Sequence, residues 1–226
     1  MQFLPSPNFN DRAADKAIQH LILHYTGMRA AADALARLCD PAAEVSAHYI
    51  VNADGAVTQL VDEEKRAWHA GVSFWAGETD LNSTSIGIEI VNPGHEFGYM
   101  PFPDAQITAV TKLCRDILSR HAIQPHHVLA HSDIAPARKM DPGELFPWAR
   151  LAEDGVGLWP PQKGEGRGER GELDLAIYGY DISSLSAAII AFQRHFRPEK
   201  INGEWDDECG ARLSNLLNQK ITHTSQ

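Results

Sequence analysis

Apolar and polar positions along the chain follow two periods, and the switches between them mark out the elements. Ile18 to Tyr25, IQHLILHY, is a short and mostly apolar run of the kind a buried strand uses. Ala30 to Cys39 is rich in Ala, Leu and Arg and favours helix. His48–Val51 and Ala56–Leu60 flank Asn52-Ala-Asp-Gly55, which predicts a hairpin turning at Gly55. Ser85–Val91, SIGIEIV, alternates, with Ile86, Ile88 and Ile90 on one face and Gly87 and Glu89 on the other. Between Pro103 and His121, apolar residues at 107, 110, 113, 114, 117 and 118 keep helical spacing and predict the longest helix. Val128-Leu-Ala130 is a further short strand. This order predicts an α/β domain built as a mixed central β-sheet flanked by helices.

The pattern changes after LWPPQ. Lys163–Glu172 contains only glycine and charged residues, which cannot bury anything, so 161–172 reads as a flexible linker between a domain at 1–160 and a second at 173–226. The second part has a purely helical pattern. Leu185, Ala188, Ile189, Phe192 and Phe196 line one face, with Ser183 or Ser184 placed to cap the start and Pro198 beyond the end. Cys209, Leu213, Leu216 and Leu217 line another helix from about Asp206 to Asn218. A helical unit this small is marginal alone and suits an accessory module better than an active site.

Composition narrows the function classes. The chain has 226 residues, 43% of them hydrophobic, enough for a buried core. Twenty Lys and Arg face thirty Asp and Glu, a net charge of -10 with no basic cluster, so nucleic acid is not an expected partner. Cys39, Cys114 and Cys209 are widely spaced, which suits core positions rather than a disulfide framework or a thiolate metal site. No apolar stretch approaches the roughly 18 residues of a membrane span. The N-terminus has no basic start followed by a long apolar run, so the expected compartment is the cytoplasm.

Chemistry concentrates at strand ends. His24 closes an apolar run, His131 follows Val128-Leu-Ala130 directly, and Asp141 comes ten residues later across a loop stiffened by Pro136 and Pro142. Two neutral imidazoles and a carboxylate make the open three-ligand set of catalytic zinc, with the fourth position left for water. Glu89 has apolar neighbours on both sides. It either faces solvent or is buried with a raised pKa that makes it useful in proton transfer. Lys139 alone is an ordinary loop lysine, but beside a metal-binding Asp141 it lies within reach of a developing oxyanion. The segment AHSDIAPARKMDPG, residues 130–143, could otherwise be read as a solvated loop, since loops favour these residue types.

The stretches LILHYT, VSAHYIV, RAWHAG, LNSTSIGIEIVN and AHSDIAPARKMDPG, in this order and spacing, resemble the zinc-dependent N-acetylmuramoyl-L-alanine amidases, whose catalytic domain is shared with peptidoglycan recognition proteins. The tail, from YGYDISSL through AFQRHFRP and NGEWD, is similar to the three-helix peptidoglycan-binding domain. The resemblance implies one Zn2+ per chain held by His24, His131 and Asp141, with Glu89 as acid/base and Lys139 as oxyanion partner. It also places Trp68 and His69 along a substrate groove, Asn82 in a loop beside it, and His48 in a supporting or structural role. The implied reaction is hydrolysis of the amide between the lactyl group of (anhydro-)N-acetylmuramic acid and L-alanine of the stem peptide. The implied partners are peptidoglycan or muropeptide fragments, in cell-wall turnover or recycling.

The alternative reading is a non-catalytic peptidoglycan-binding or sensing protein with a structural metal. Glu89 and Lys139 discriminate, because binding alone has no use for an acid/base beside an open metal. A wall-binding module would suit the periplasm or cell envelope instead of the cytoplasm. Asp133 and Arg138 receive no role at this level, and nothing in the sequence specifies an oligomeric state.

Overall fold

A computed structural model describes residues 1–161 and 172–224. The expected linker lies outside the described residues except for its two end positions. The described residues form eight strands: β1 (Gln2–Phe3), β2 (Phe9–Asp11), β3 (His20–Tyr25), β4 (Tyr49–Val51), β5 (Val57–Gln59), β6 (Lys65–Ala67), β7 (Ser85–Ile90) and β8 (Val128–Ala130). The helices are α1 (Ala31–Cys39), α2 (Leu81–Thr84), α3 (Gly94–Phe97), α4 (Asp104–Arg120), α5 (His131–Ile134), α6 (Trp148–Glu153), α7 (Glu172–Tyr178), α8 (Leu185–Phe196) and α9 (Asp207–Thr224). The longest helix is α9, at 18 residues, not α4 at 17. It runs about two turns past the apolar positions that marked it in the sequence.

The main sheet has six strands in the order β1-β5-β4-β7-β3-β8. β3 pairs in parallel with both β7 and β8, β4 pairs in parallel with β7, and β4 and β5 form the antiparallel hairpin, so the sheet is mixed. Gly55 makes the hairpin turn at φ +86°, and a Cβ there would stand 2.8 Å from the Ala105 carbonyl oxygen, which excludes a side chain on both counts. β2 and β6 form a separate antiparallel pair that was not legible in the sequence, since all three residues of β2 are exposed and show no alternation.

The two faces of the sheet are covered differently. Leu21, Leu23, Ile86, Ile88 and Ile90 face α4, where Ile107, Val110, Leu113, Cys114 and Ile117 complete a buried cluster. On the opposite face Ile50 meets Ala34 and Leu38 of α1. Ile22 and Leu129 on that same face join Trp75, Leu81 and the C-terminal residues Leu175, Tyr178, Tyr180, Ala188, Phe192 and Phe196 in one cluster. The three C-terminal helices therefore complete the core over part of the sheet. Ser184 occupies the N-cap of α8 without making a capping hydrogen bond with its side chain. Among the described residues no helix is long and apolar enough to cross a membrane.

Two buried histidines make stability sensitive to acid. His20 shares a 3.2 Å hydrogen bond with Thr84 Oγ1. His48 Nδ1 accepts the Gly87 N–H at 2.9 Å, leaving Nε2 to donate to the Lys65 carbonyl at 3.0 Å. Burial, aided by His127, lowers His20 to about 4, and burial, aided by Arg12, lowers His48 to about 3. Both rings are neutral in the folded chain, whereas the unfolded chain takes up protons from about pH 6.5 downward. Their contribution is thus intact above that pH and is lost as pH falls toward 4 and 3, at about 1.4 kcal/mol per pH unit for each ring. Melting temperatures of metal-free protein from about pH 8 to pH 4 check this. A flat profile would show that the rings are not held neutral.

Candidate active site

Strand register assembles the site. His24 on β3 lies opposite Glu89 on β7 in the parallel pairing, on the face away from α4. Leu23 lies opposite Ala130, so His131, the next residue after β8, arrives beside His24. The loop after α5 then folds back, with the Ser132 N–H donating to the Asp141 carbonyl at 3.0 Å, and this brings the Asp141 carboxylate to both rings.

Three atoms converge. His24 Nδ1 and His131 Nδ1 are 2.9 Å apart, and Asp141 Oδ2 is 3.1 Å from the first and 3.0 Å from the second. All three residues are buried. The protons on the two rings can be traced from their far sides. Ser85 Oγ donates to the Leu81 carbonyl, so it accepts from His69 Nε2 at 3.2 Å, and a neutral His69 then carries a lone pair on Nδ1. That lone pair accepts from His24 Nε2–H at 3.0 Å. His131 Nε2–H donates to the Ala70 carbonyl at 3.1 Å. Both Nδ1 atoms therefore present lone pairs to each other and to a carboxylate oxygen, an arrangement that calls for a cation.

The charge states agree with this. Burial, and next the neighbouring His131, lowers His24 to about 4, and burial with His24 and His48 pushes His69 well down, so these rings are neutral. Burial opposes ionisation of Asp141, and positive charge at this point, whether on protonated His131 and His24 or on a cation in their place, outweighs it and holds the carboxyl well below the usual carboxylate range. A tetrahedral site with metal–ligand bonds of roughly 2.0–2.1 Å has ligand–ligand edges of about 3.3 Å. The observed triangle is close to one face of such a tetrahedron, so the donor set fits Zn2+.

A cavity of about 370 Å³ opens onto this triangle, lined in part by Tyr25, Arg37, His69, Glu89, His95, His131, Arg138, Lys139 and Asp141. Burial, reinforced by Asp141 and opposed by Lys139, raises the Glu89 carboxyl well above its ordinary value. Its Oε2 is buried without a hydrogen-bond partner among the described residues. The site thus contains an acceptor with its lone pairs unused and a cation, Lys139, whose charge acts on both Glu89 and His24.

Residues 14–144, more than half of the chain, match the family model described as N-acetylmuramoyl-L-alanine amidase. The chain belongs to the N-acetylmuramoyl-L-alanine amidase family. The amidase AmiD of Escherichia coli is 42% identical over 91% of this chain and 84% of its own length. The 1,6-anhydro-N-acetylmuramyl-L-alanine amidase AmpD of the same organism is 34% identical over 66% of this chain and 88% of its own. Among solved structures, E. coli AmiD in complex with anhydro-N-acetylmuramic acid-L-Ala-D-gamma-Glu-L-Lys superposes with a TM-score of 0.79 at 38% identity, covering 94% of this chain and 98% of that one. AMPDH3 from Pseudomonas aeruginosa superposes with a TM-score of 0.78 at 36% identity, covering 90% and 92%. The enzyme class follows from this membership.

Within this amidase fold, the residues expected at the site separate into two groups. His131, Asp141, Glu89, Lys139 and His69 line one cavity, and His24 lies behind them in contact with His131, Asp141 and His69. Trp68 and Asn82 are not on its wall. The Trp68 indole donates to Asn10 Oδ1 at 2.7 Å, toward β2. Asn82 Oδ1 accepts the N–H groups of His69 and Ala70 at 3.0 and 2.8 Å, which fixes the backbone that aims His69 at His24 and the Ala70 carbonyl at His131. His48 is fully buried behind His69, with ring centroids 5.6 Å apart.

Several supporting residues escaped the sequence reading. Arg12 sends its guanidinium to the carbonyls of Glu63, Asn82, Ser83 and Ser85, tying together the loops behind His69 and His48. Arg138 donates to the carbonyls of Ala70 and Val72 at 3.0 and 2.8 Å, so it clamps the 70–72 loop onto the metal loop. Arg12 is remote from the site residues in sequence, and although Arg138 adjoins Lys139, an isolated arginine has no local signature. Gly87 did have one, as the small residue beside Glu89. A Cβ on Gly87 would stand 2.4 Å from the His69 ring, so Gly87→Ala is expected to displace His69 and lower zinc affinity, checked by chelator competition against the unaltered chain.

Proposed function

We propose that this chain is a zinc-dependent amidase that cuts the bond between the lactyl group of anhydro-N-acetylmuramic acid and L-alanine in muropeptide fragments, in cell-wall turnover or recycling. The observation that carries the reading is the triangle of His24 Nδ1, His131 Nδ1 and Asp141 Oδ2 in the same cavity as the unpartnered Oε2 of Glu89. Support for the substrate class comes from the similar AmiD and AMPDH3 chains, solved with anhydromuramyl peptides.

His24, His131 and Asp141 would hold one Zn2+, which supplies a Lewis acid and acidifies a water at neutral pH. Glu89 takes the proton of the attacking water on Oε2 and passes it to the leaving amide nitrogen. Lys139 places its charge beside the oxyanion that develops on the scissile carbonyl. His69 holds His24 in the tautomer with Nδ1 unprotonated, and Asn82 fixes His69 in turn. This gives those two residues a positioning role in place of the substrate contact expected of them. His48 holds the backbone of Gly87, under His69.

We further propose that residues 1–160 form the catalytic unit and that 173–226, joined through 161–172, hold peptidoglycan in the manner of the three-helix domain they resemble. A wall-sensing protein with a structural metal would have no use for an unpartnered carboxyl in the cavity. Mass spectrometry of products from purified anhydro-muropeptides and from intact sacculi, with and without chelator, tests the reaction. Chelator-sensitive release of peptides beginning at L-alanine is expected. Release that chelator leaves unchanged would refute the zinc mechanism, and no release from either substrate would refute the activity.

A further inference from the structure

Asp133, two residues after His131, is fully buried and carries no catalytic duty, yet it accepts three hydrogen bonds. Its Oδ2 takes the Ala130 N–H at 2.8 Å and His195 Nδ1–H at 2.6 Å, and its Oδ1 takes the Tyr180 hydroxyl at 2.8 Å. Two of these donors come from the C-terminal part of the chain. His195 is itself stacked on Trp148, with ring centroids 3.9 Å apart. The preceding residue, Arg194, reaches Glu144, with Nε 3.8 Å from Oε2. Glu144 follows Asp141 by three positions and also receives His95 Nε2 at 3.1 Å from the cavity wall.

Adjacent residues of α8 therefore face both ends of the segment that carries two of the three converging ligand atoms and Lys139, His195 through a hydrogen bond to Asp133 and Arg194 through the longer ion pair with Glu144. We infer that α8 is a positioning element of the metal site, with His195 acting through Asp133 on His131. The inference rests on the zinc assignment made above. The physical reason is that a buried carboxylate that loses a donor is left with an unsatisfied oxygen and must shift to regain a partner. Such a shift releases the Ala130 N–H and, with it, the first turn of α5 that presents His131. A helical module that only tethers the enzyme to a wall would need no buried polar junction under a metal ligand.

The test uses the full chain and reads zinc affinity by chelator competition, together with the visible absorption of the cobalt(II)-loaded protein as a report of ligand geometry. His195→Phe keeps the stacked ring and removes the donor. It is expected to weaken zinc binding about tenfold or more and to alter the cobalt spectrum. His195→Asn, which returns a donor near the position of Nδ1, should restore most of both. Tyr180→Phe removes one hydrogen-bond donor to the same carboxylate and should weaken zinc about threefold or more. It decides the matter if His195→Phe does not fold. Wild-type zinc affinity and cobalt spectrum in the folded His195→Phe and Tyr180→Phe variants, with only a lower melting temperature, would overturn the inference. His24→Ala separates the two levels: if it keeps wild-type zinc affinity, the ligand assignment itself is wrong and the inference falls with it. If it loses zinc while the α8 variants do not, the inference alone fails.

Discussion

Glu89→Ala is expected to bind zinc stoichiometrically and to turn over muropeptide at about one hundredth of the wild-type rate or less. The first half of the expectation follows from position. Glu89 lies opposite His24 across the β3–β7 register but is not one of the three residues whose ligand atoms converge. The second half follows from its state. A carboxyl with a raised pKa and a buried, unpartnered oxygen in the cavity is poised to exchange a proton, whereas Asp141, the buried carboxylate of that wall, is taken up by the two histidines. Steady-state turnover and metal content measured on one preparation check both halves. Unchanged turnover would remove Glu89 from proton transfer.

Asp141→Ala is expected to fail one step earlier, losing zinc affinity and, with it, activity. Asp141 supplies the only negative charge among the three converging atoms, and without it two neutral rings are left to hold a divalent cation. The Asp141 backbone should remain in place, because its carbonyl accepts from the Ser132 N–H independently of the side chain. A folded, metal-poor protein is the expected result, with activity recovered only in part by excess zinc. Tight stoichiometric zinc in this variant would show that the third ligand is another residue. The two variants together separate metal binding from proton transfer, since one loses turnover with zinc bound and the other loses zinc.

Much of the framework was legible because periodicity reports burial. The alternation of SIGIEIV placed three isoleucines against α4 and left Gly87 and Glu89 on the other face, and that division appears in the core clusters. The run LILHY marked β3, and VLA marked β8, because buried parallel strands are continuously apolar. β2 and β6 were missed because three residues each are too few to show a period, and those of β2 are all exposed. The resemblance placed Trp68 and His69 together along a groove, but adjacent side chains on extended backbone point to opposite sides. His69 turns toward His24 and Trp68 turns away toward Asn10.

By itself the sequence determined which residue types could make a zinc site, which strands would be buried, and that helices follow the glycine-rich segment. Those properties are local: a donor atom, a period, a loss of apolar residues. Tertiary structure alone decided the protonation of the ligands, since the direction of each hydrogen bond from Leu81 through Ser85 and His69 to His24 depends on partners far apart in the chain. It also decided that Asp133, with no role on local grounds, would be held by Tyr180 and His195, and that the C-terminal helices would share a core with the sheet that carries the site. A buried polar group is satisfied by whatever the fold brings to it, and no spacing in the sequence records that choice.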